Sequence, residues 1–161
     1  MQSLASTESA PGAVSIAGSA LRAIADEAIR SFDGKETGGV LLGFEGDCLE
    51  VRHAGGPGPG AMRQVDRFLR DLQHAQDLAR AAWEEDRSQW IGEWHTHLDG
   101  SLEPSAADIH SYLQHLRDPE LQMDKFLAII VSVVGEELRI AAWIVLPGTA
   151  YLVPLDVVRE D

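Results

Sequence analysis

His95-Thr96-His97, followed by seven residues, Ser105, two residues and Asp108, restricts the fold of this chain more than any other feature. A strand alternates its side chains between two faces, so His95 and His97 point one way while Trp94 and Thr96 point the other. Ser105 and Asp108 have the spacing of a helix start, which lets the Asp108 carboxylate project from the first turn back toward the imidazoles. The chain must therefore end a strand, turn and begin a helix within a short stretch, with both elements aimed at one point. Two nitrogens and one oxygen make three ligands. Structural zinc usually takes four protein ligands, whereas three plus water is the open arrangement used in hydrolysis. The pattern predicts a catalytic metal site.

Each of these residues has a plainer reading on its own. An isolated His-x-His pair is commonly surface decoration. Ser105 and Asp108 by themselves form a capping-box variant that strengthens a helix start. Glu36 alone is a polar residue before a strand, but the glycines of Glu36-Thr37-Gly38-Gly39 allow close backbone approach beside it. Glu93 shares the face of His95 and His97 by period two. It is either an orienting partner for an imidazole, of the kind metal-bound histidines require, or a salt-bridged surface carboxylate.

A chain of 161 residues fits one ordinary domain, read here as 13–161 behind a loose segment at 1–12. With 45% hydrophobic and 24% charged residues it has the composition of a globular protein, and no apolar run approaches the roughly 20 residues of a membrane helix. The N-terminus has no basic region followed by an apolar core, and a single cysteine cannot form an internal disulfide, so the chain reads as cytoplasmic. A net charge of −13 without a run of Lys and Arg argues against nucleic acid as a partner.

Apolar spacing predicts helices over 16–32 and 69–83, and a helix over 105–117. Strands are predicted at 37–44 and 48–53 as a hairpin, at 89–97, and at 126–134 and 138–146 as a second pair, with an edge strand over 151–158. Gly55-Gly56-Pro57-Gly58-Pro59-Gly60 fits neither helix nor interior strand and reads as a loop, either a plain connection or a flap beside the site. His53, His74, His110 and His115 lack ligand spacing and read as exposed. Cys48 reads as a small buried hydrophobe. The sum is a mixed sheet with a few helices packed on it, α/β and bordering on α+β.

Glu36-Thr37-Gly38-Gly39-Val40-Leu41-Leu42-Gly43 together with the His95 to Asp108 pattern resembles the JAMM (MPN-domain) metallo-isopeptidase family. Gly92-Glu93-Trp94-His95-Thr96-His97, Pro104-Ser105 and the upstream Phe68-Leu69-Arg70-Asp71 are similar to short prokaryotic members encoded beside ubiquitin-like conjugation enzymes. One departure is Leu98, which stands where those members commonly have proline.

The resemblance spans roughly 15–155 and implies a cytidine-deaminase-like three-layer fold with the metal at one end of the central sheet. It implies one Zn²⁺ per chain on His95, His97 and Asp108, Glu36 as general base toward metal-activated water, and the Ser105 hydroxyl as oxyanion donor. The implied substrate is the isopeptide or peptide bond after the tail of a ubiquitin-like protein, with activating and conjugating enzymes as further partners and an antiviral defence operon among the settings. Maturation of a ubiquitin-like or sulfur-carrier precursor is the neighbouring reading. A scaffold without turnover is the distant one, since this chain keeps every ligand. The 55–68 segment is the expected wall of a tail channel in which an extended tail adds as a strand.

Overall fold

The structure is a computed structural model that describes residues 12–159, so the loose segment expected at 1–12 lies, but for Gly12, outside the described residues. The elements are β1 (Val14–Ala17), α1 (Gly18–Arg30), β2 (Gly38–Glu45), β3 (Leu49–Ala54), β4 (Met62–Arg63), β5 (Phe68–Leu69), α2 (Leu72–Asp86), β6 (Gln89–Thr96), α3 (Ala106–Arg117), β7 (Phe126–Val134), β8 (Glu137–Leu146), β9 (Thr149–Val153) and β10 (Leu155–Val158). Eight strands form one sheet in the order β10-β1-β3-β2-β6-β7-β8-β9, while β4 and β5 pair as a separate small hairpin. The β1 pairs with β10 and β3 are parallel, as is β6 with β7. The remaining pairs of the large sheet are antiparallel, which makes it mixed. No helix among the described residues is long and apolar enough to cross a membrane.

Three differences from the sequence expectation have physical causes. The helix expected from 16 begins at Gly18, because Val14–Ala17 pairs on both sides as a strand. The helix expected over 69–83 begins at Leu72, after β5. Its start is fixed by Asp71, whose carboxylate accepts from the His74 amide at 3.1 Å and from the Gly60 amide at 2.8 Å. The edge strand expected over 151–158 is two strands separated by Pro154, one at each edge of the sheet.

That last arrangement dictates the shape. Eight flat strands about 4.8 Å apart would hold their edges roughly 34 Å from one another, while one residue spans about 3.6 Å at most. The sheet must curl until its edges meet at Pro154, whose carbonyl accepts from the Val14 amide at 2.9 Å. Helix α1 fills the concave side, where Ala20, Ile24 and Ala28 share a core with Leu41, Val51, Trp94, Leu127, Ile129 and Val131. The convex side carries α2 against Val40 and Leu42, and α3 against Phe126 and Ala128. Helix, sheet and helices form three layers.

Candidate metal centre

Strand β6 runs between these layers, and an irregularity decides which residues face which side. Leu41 pairs with Gly92 but Leu42 pairs with Trp90, so Ile91 is an extra residue on β6. A bulge of this kind changes the parity of the strand. Trp90 lies on the α2 and α3 side, yet Ile91 and Trp94 both enter the α1 core. From Gly92 onward, residues alternate cleanly, and Glu93, His95 and His97 face α3.

Helix α3 begins as the spacing predicts. Ser105 is its N-cap, the Ser105 hydroxyl accepts from the Asp108 amide at 3.1 Å, and Asp108 Oδ2 accepts from the Ser105 amide at 2.8 Å. This capping box aims the Asp108 carboxylate at the end of β6. Asp108 Oδ2 lies 3.2 Å from His95 Nε2 and 3.1 Å from His97 Nε2, and the two Nε2 atoms are 3.0 Å apart. Bonds of 2.0–2.2 Å in a tetrahedral zinc site place ligand atoms about 3.3 Å from one another, close to these three separations.

The proton arrangement fits as well. His97 Nδ1 donates to the Ser101 carbonyl at 3.1 Å, which leaves the Nε2 lone pair directed at the cluster. His95 Nδ1 lies 3.5 Å from the buried Tyr112 hydroxyl. Three lone-pair atoms converging in a buried place repel unless a proton or a cation sits among them. Burial pushes the Asp108 carboxyl up, but hydrogen bonds from His95 and His97 outweigh it and hold the group well below the usual carboxylate range. Burial pushes His97 down, and bonding to Asp108 together with the Glu36 charge raises it overall.

Glu36 reaches the same end of the sheet through β2. Gly38 pairs with His95, and a Cβ at Gly38 would stand 2.3 Å from the Trp94 carbonyl oxygen and 2.8 Å from His95 Cβ. Only glycine permits this approach, which is the role expected of Thr-Gly-Gly. Thr37 locks the position from behind. Its amide donates to Thr96 Oγ1 at 2.9 Å, its carbonyl accepts from the Thr96 amide at 2.9 Å, and its hydroxyl donates to the buried Glu27 carboxylate at 2.8 Å. Glu36 itself is 9% exposed, and burial raises its carboxyl above the ordinary value although His95 and His97 pull it down.

Two clefts meet at this point, both lined by Glu36, Asp66, Ser105 and Asp108. One of 710 Å³ runs between the β4-β5 hairpin and α3, past Phe68, Glu93 and Tyr112. The other, of 550 Å³, runs between the hairpin tip and the 98–104 loop, past Val65, Leu98 and Glu103. The wall expected over 55–68 is thus the hairpin rather than the Gly-Pro loop. The loop is tethered instead, since the Gly55 carbonyl accepts from Trp94 Nε1 at 2.8 Å and the Pro57 carbonyl accepts from the Asp71 amide at 3.1 Å. The loop carrying Leu98 in place of proline keeps a defined path through an Asp99 turn and a 2.8 Å bond from Trp143 Nε1 to the Leu102 carbonyl.

Some expectations shift. The Glu93 carboxylate accepts from Arg70 Nη1 at 3.0 Å, with His115 Nε2 at 3.6 Å, so its partner is an arginine and the histidine Nδ1 atoms are served by Tyr112 and Ser101. His115 is half-buried and stacked on Phe126 rather than exposed. His53 bonds the Asp86 carboxylate at 2.8 Å beside the exposed Glu85, a second group of potential ligands, though Asp86 already accepts from Ser88. Cys48 is exposed in the β2-β3 turn rather than buried. Tyr112 carried a readable signal, because it lies four residues after Asp108 on the same helix face. Arg70 carried none, since its partner is distant in sequence.

Residues 18–145 match the family described as prokaryotic homologs of the JAB domain. A protein of Vibrio cholerae serotype O1 described as a CD-NTase/cGAS isopeptidase is 36% identical over 88 residues. That likeness covers 53% of this chain and 56% of the relative, so it spans little more than half the length of the protein it matches. Among solved structures, the protein DSY2949 of Desulfitobacterium hafniense superposes with a TM-score of 0.69 at 16% identity, covering 91% of this chain and 94% of that one. At that identity the likeness is one of fold.

Proposed function

This chain belongs to the prokaryotic JAB-domain family, and from that premise we propose that it is a zinc-dependent hydrolase cutting the isopeptide or peptide bond after the C-terminal tail of a ubiquitin-like protein. The observation that carries the reading is the convergence of His95 Nε2, His97 Nε2 and Asp108 Oδ2 within 3.2 Å of one another beside a buried carboxylate. The donor set suits zinc, as does its three-ligand count. The isopeptidase description of the Vibrio relative supports an amide on a lysine side chain as the scissile bond.

Zinc held by these residues supplies Lewis acidity, polarising the scissile carbonyl and acidifying the attacking water. Glu36 takes the proton from that water as its oxygen joins the carbonyl carbon. Burial raises the Glu36 carboxyl above its ordinary value, and a more basic carboxylate is the better proton acceptor. Ser105 Oγ accepts from the Asp108 amide and keeps its own hydrogen to donate to the carbonyl oxygen as charge develops there. The carbon-nitrogen bond then breaks, and Glu36 delivers the proton to the leaving amine. The products are a free carboxylate and a free amine, with no acyl-enzyme.

The larger cleft takes the tail, lying along the free edge of β5 with main-chain bonds supplying affinity. The smaller cleft takes the leaving amine. The test compares a ubiquitin-like protein with a Gly-Gly tail joined to a lysine side chain against the same conjugate with Leu-Leu in the tail, and against a linear C-terminal extension. Cleavage of the Gly-Gly conjugate that stops on chelation and returns with zinc is the expected result. Equal rates for Gly-Gly and Leu-Leu remove the narrow channel from the account, and preference for the linear extension makes maturation the principal reaction.

A further inference from the structure

The β4-β5 hairpin forms a wall of both clefts, yet it cannot stand by itself. Two strands of two residues each are far below what a hairpin needs for independent stability. Its apolar side chains anchor it little, since Phe68 is half-buried while Met62, Val65 and Leu69 are 48%, 67% and 44% exposed. Polar contacts hold it at three places. At β4, Arg63 donates to both carboxylate oxygens of Asp33, at 3.1 and 2.8 Å, and to the Ser31 and Glu36 carbonyls. At the tip, the Glu36 amide donates to the Gln64 carbonyl at 2.7 Å and the Gln64 amide to the Arg67 carbonyl at 2.9 Å.

The third place is Arg70, directly after β5. Its guanidinium lies 5.1 Å over the Trp90 ring and donates to Glu93 at 3.0 Å. Both side chains are largely covered, at 20% and 13% exposure, so this is not a solvent-screened surface pair. Glu93 lies two residues before His95 on the same face of β6 and in the floor of the larger cleft. His115 Nε2, on α3 in the opposite wall, lies 3.6 Å from the same Glu93 oxygen, beyond hydrogen-bond distance, and has no hydrogen-bond partner among the described residues. The Glu93 carboxylate thus ties the hairpin wall to the strand that bears the histidines.

We infer that the Arg70-Glu93 pair latches the β4-β5 hairpin over the larger cleft, making both residues positioning residues for the substrate tail rather than supports of a metal ligand. The inference rests on the proposed function for its kinetic consequence but not for its structural one. Loss of the latch lets the hairpin lift, which exposes the amides of Glu36 and Gln64 and weakens tail binding, while the metal cradle stays intact.

The test uses the zinc-loaded protein and the variants Arg70→Met, Glu93→Gln, their double variant and Arg70→Lys. Hydrogen exchange at the Glu36 and Gln64 amides is expected to rise at least tenfold in each single variant with the global unfolding midpoint retained. The double variant should add nothing further, because partners in one interaction are non-additive. Arg70→Lys should recover most of the protection, since it keeps the charge toward Glu93. With the Gly-Gly conjugate, KM should rise about tenfold or more at nearly constant kcat, with zinc content unchanged.

Unaltered exchange in Arg70→Met and Glu93→Gln would overturn the latch, and so would loss of zinc in Glu93→Gln, which would return Glu93 to the service of His95. Exchange needs no substrate. If the wild-type protein fails to cut the conjugate while the exchange pattern holds, the proposed function falls and the latch stands.

Discussion

The two faces of β6, continued by His97 just past its end, do different work with alternate residues. On the α1 side, Trp94 is 1% exposed within the main core, and Thr96 binds Thr37, which is held in turn by Glu27. On the α3 side, Glu93, His95 and His97 face clefts and bond to polar partners. The apolar face supplies rigidity and the polar face spends it, holding like groups together in a geometry that the chain alone does not favour. The comparison teaches that a site of this precision depends on register. A slip of one residue, or loss of the bulge at Ile91, would exchange the faces and bury the histidines against α1.

The largest expected effect lies on the polar side and leaves the fold untouched. Glu36→Gln keeps shape and polarity but cannot accept a proton, so turnover should fall about 10⁴-fold or more, with zinc content unchanged. Its burial also raises the carboxyl, which means the folded protein binds that proton more tightly than the unfolded chain does. Without metal, the charged group therefore opposes folding above that raised value, and Glu36→Gln should raise the thermal midpoint of the metal-free protein. A variant that stays active removes Glu36 from the mechanism.

On the apolar side, Trp94→Ala should cost about 3–5 kcal/mol of stability through the cavity it leaves, read by urea unfolding. Zinc binding and activity should then fail only as the protein unfolds. A cost under about 1 kcal/mol would mean that the two faces are not divided as described. Trp94→Ala that stays folded and loses zinc would blur the division in a different way, by making the core residue part of the site.

A smaller effect tests the link between the faces. Glu27 is buried on α1, and although burial pushes its carboxyl up, hydrogen bonds from Ser31, Arg30 and Thr37 hold it below the ordinary value. A lowered carboxylate stabilises the fold above its unfolded pKa of about 4.3 and loses that contribution as pH falls toward the folded value. Glu27→Ala should cost about 1–3 kcal/mol at pH 7, as charged hydrogen bonds of this kind do, with the difference from wild type shrinking below about pH 4. A pH-independent difference would show that packing, not charge, carries the effect of Glu27.

The geometry of the candidate site was legible because it is written in short spacings. His95 and His97 share a face by strand period, Ser105 and Asp108 sit three apart at a helix start, and Gly38 permits a backbone approach that any side chain would block. The large strands and the three long helices were readable for the same reason. What escaped was set by partners far along the chain. Val14–Ala17 is too short and too close to α1 for periodicity to separate, and only its two neighbours make it a strand. Pro154 looked like an interruption in one edge strand, although it is where opposite edges of a curled sheet meet. Glu93 was placed on the right face, but its partner Arg70 lies 23 positions away with no pattern to announce it.

The division of β6 stands or falls on what its polar face holds. Zinc per chain, measured by elemental analysis on folded wild-type protein and on His97→Ala at equal metal exposure, tests it most directly. The account predicts one zinc ion in the wild-type chain and near-complete loss in His97→Ala, with the unfolding free energy of the metal-free proteins differing by about 1 kcal/mol or less, as at a site outside the main core. A His97→Ala protein that retains a full zinc ion would contradict it.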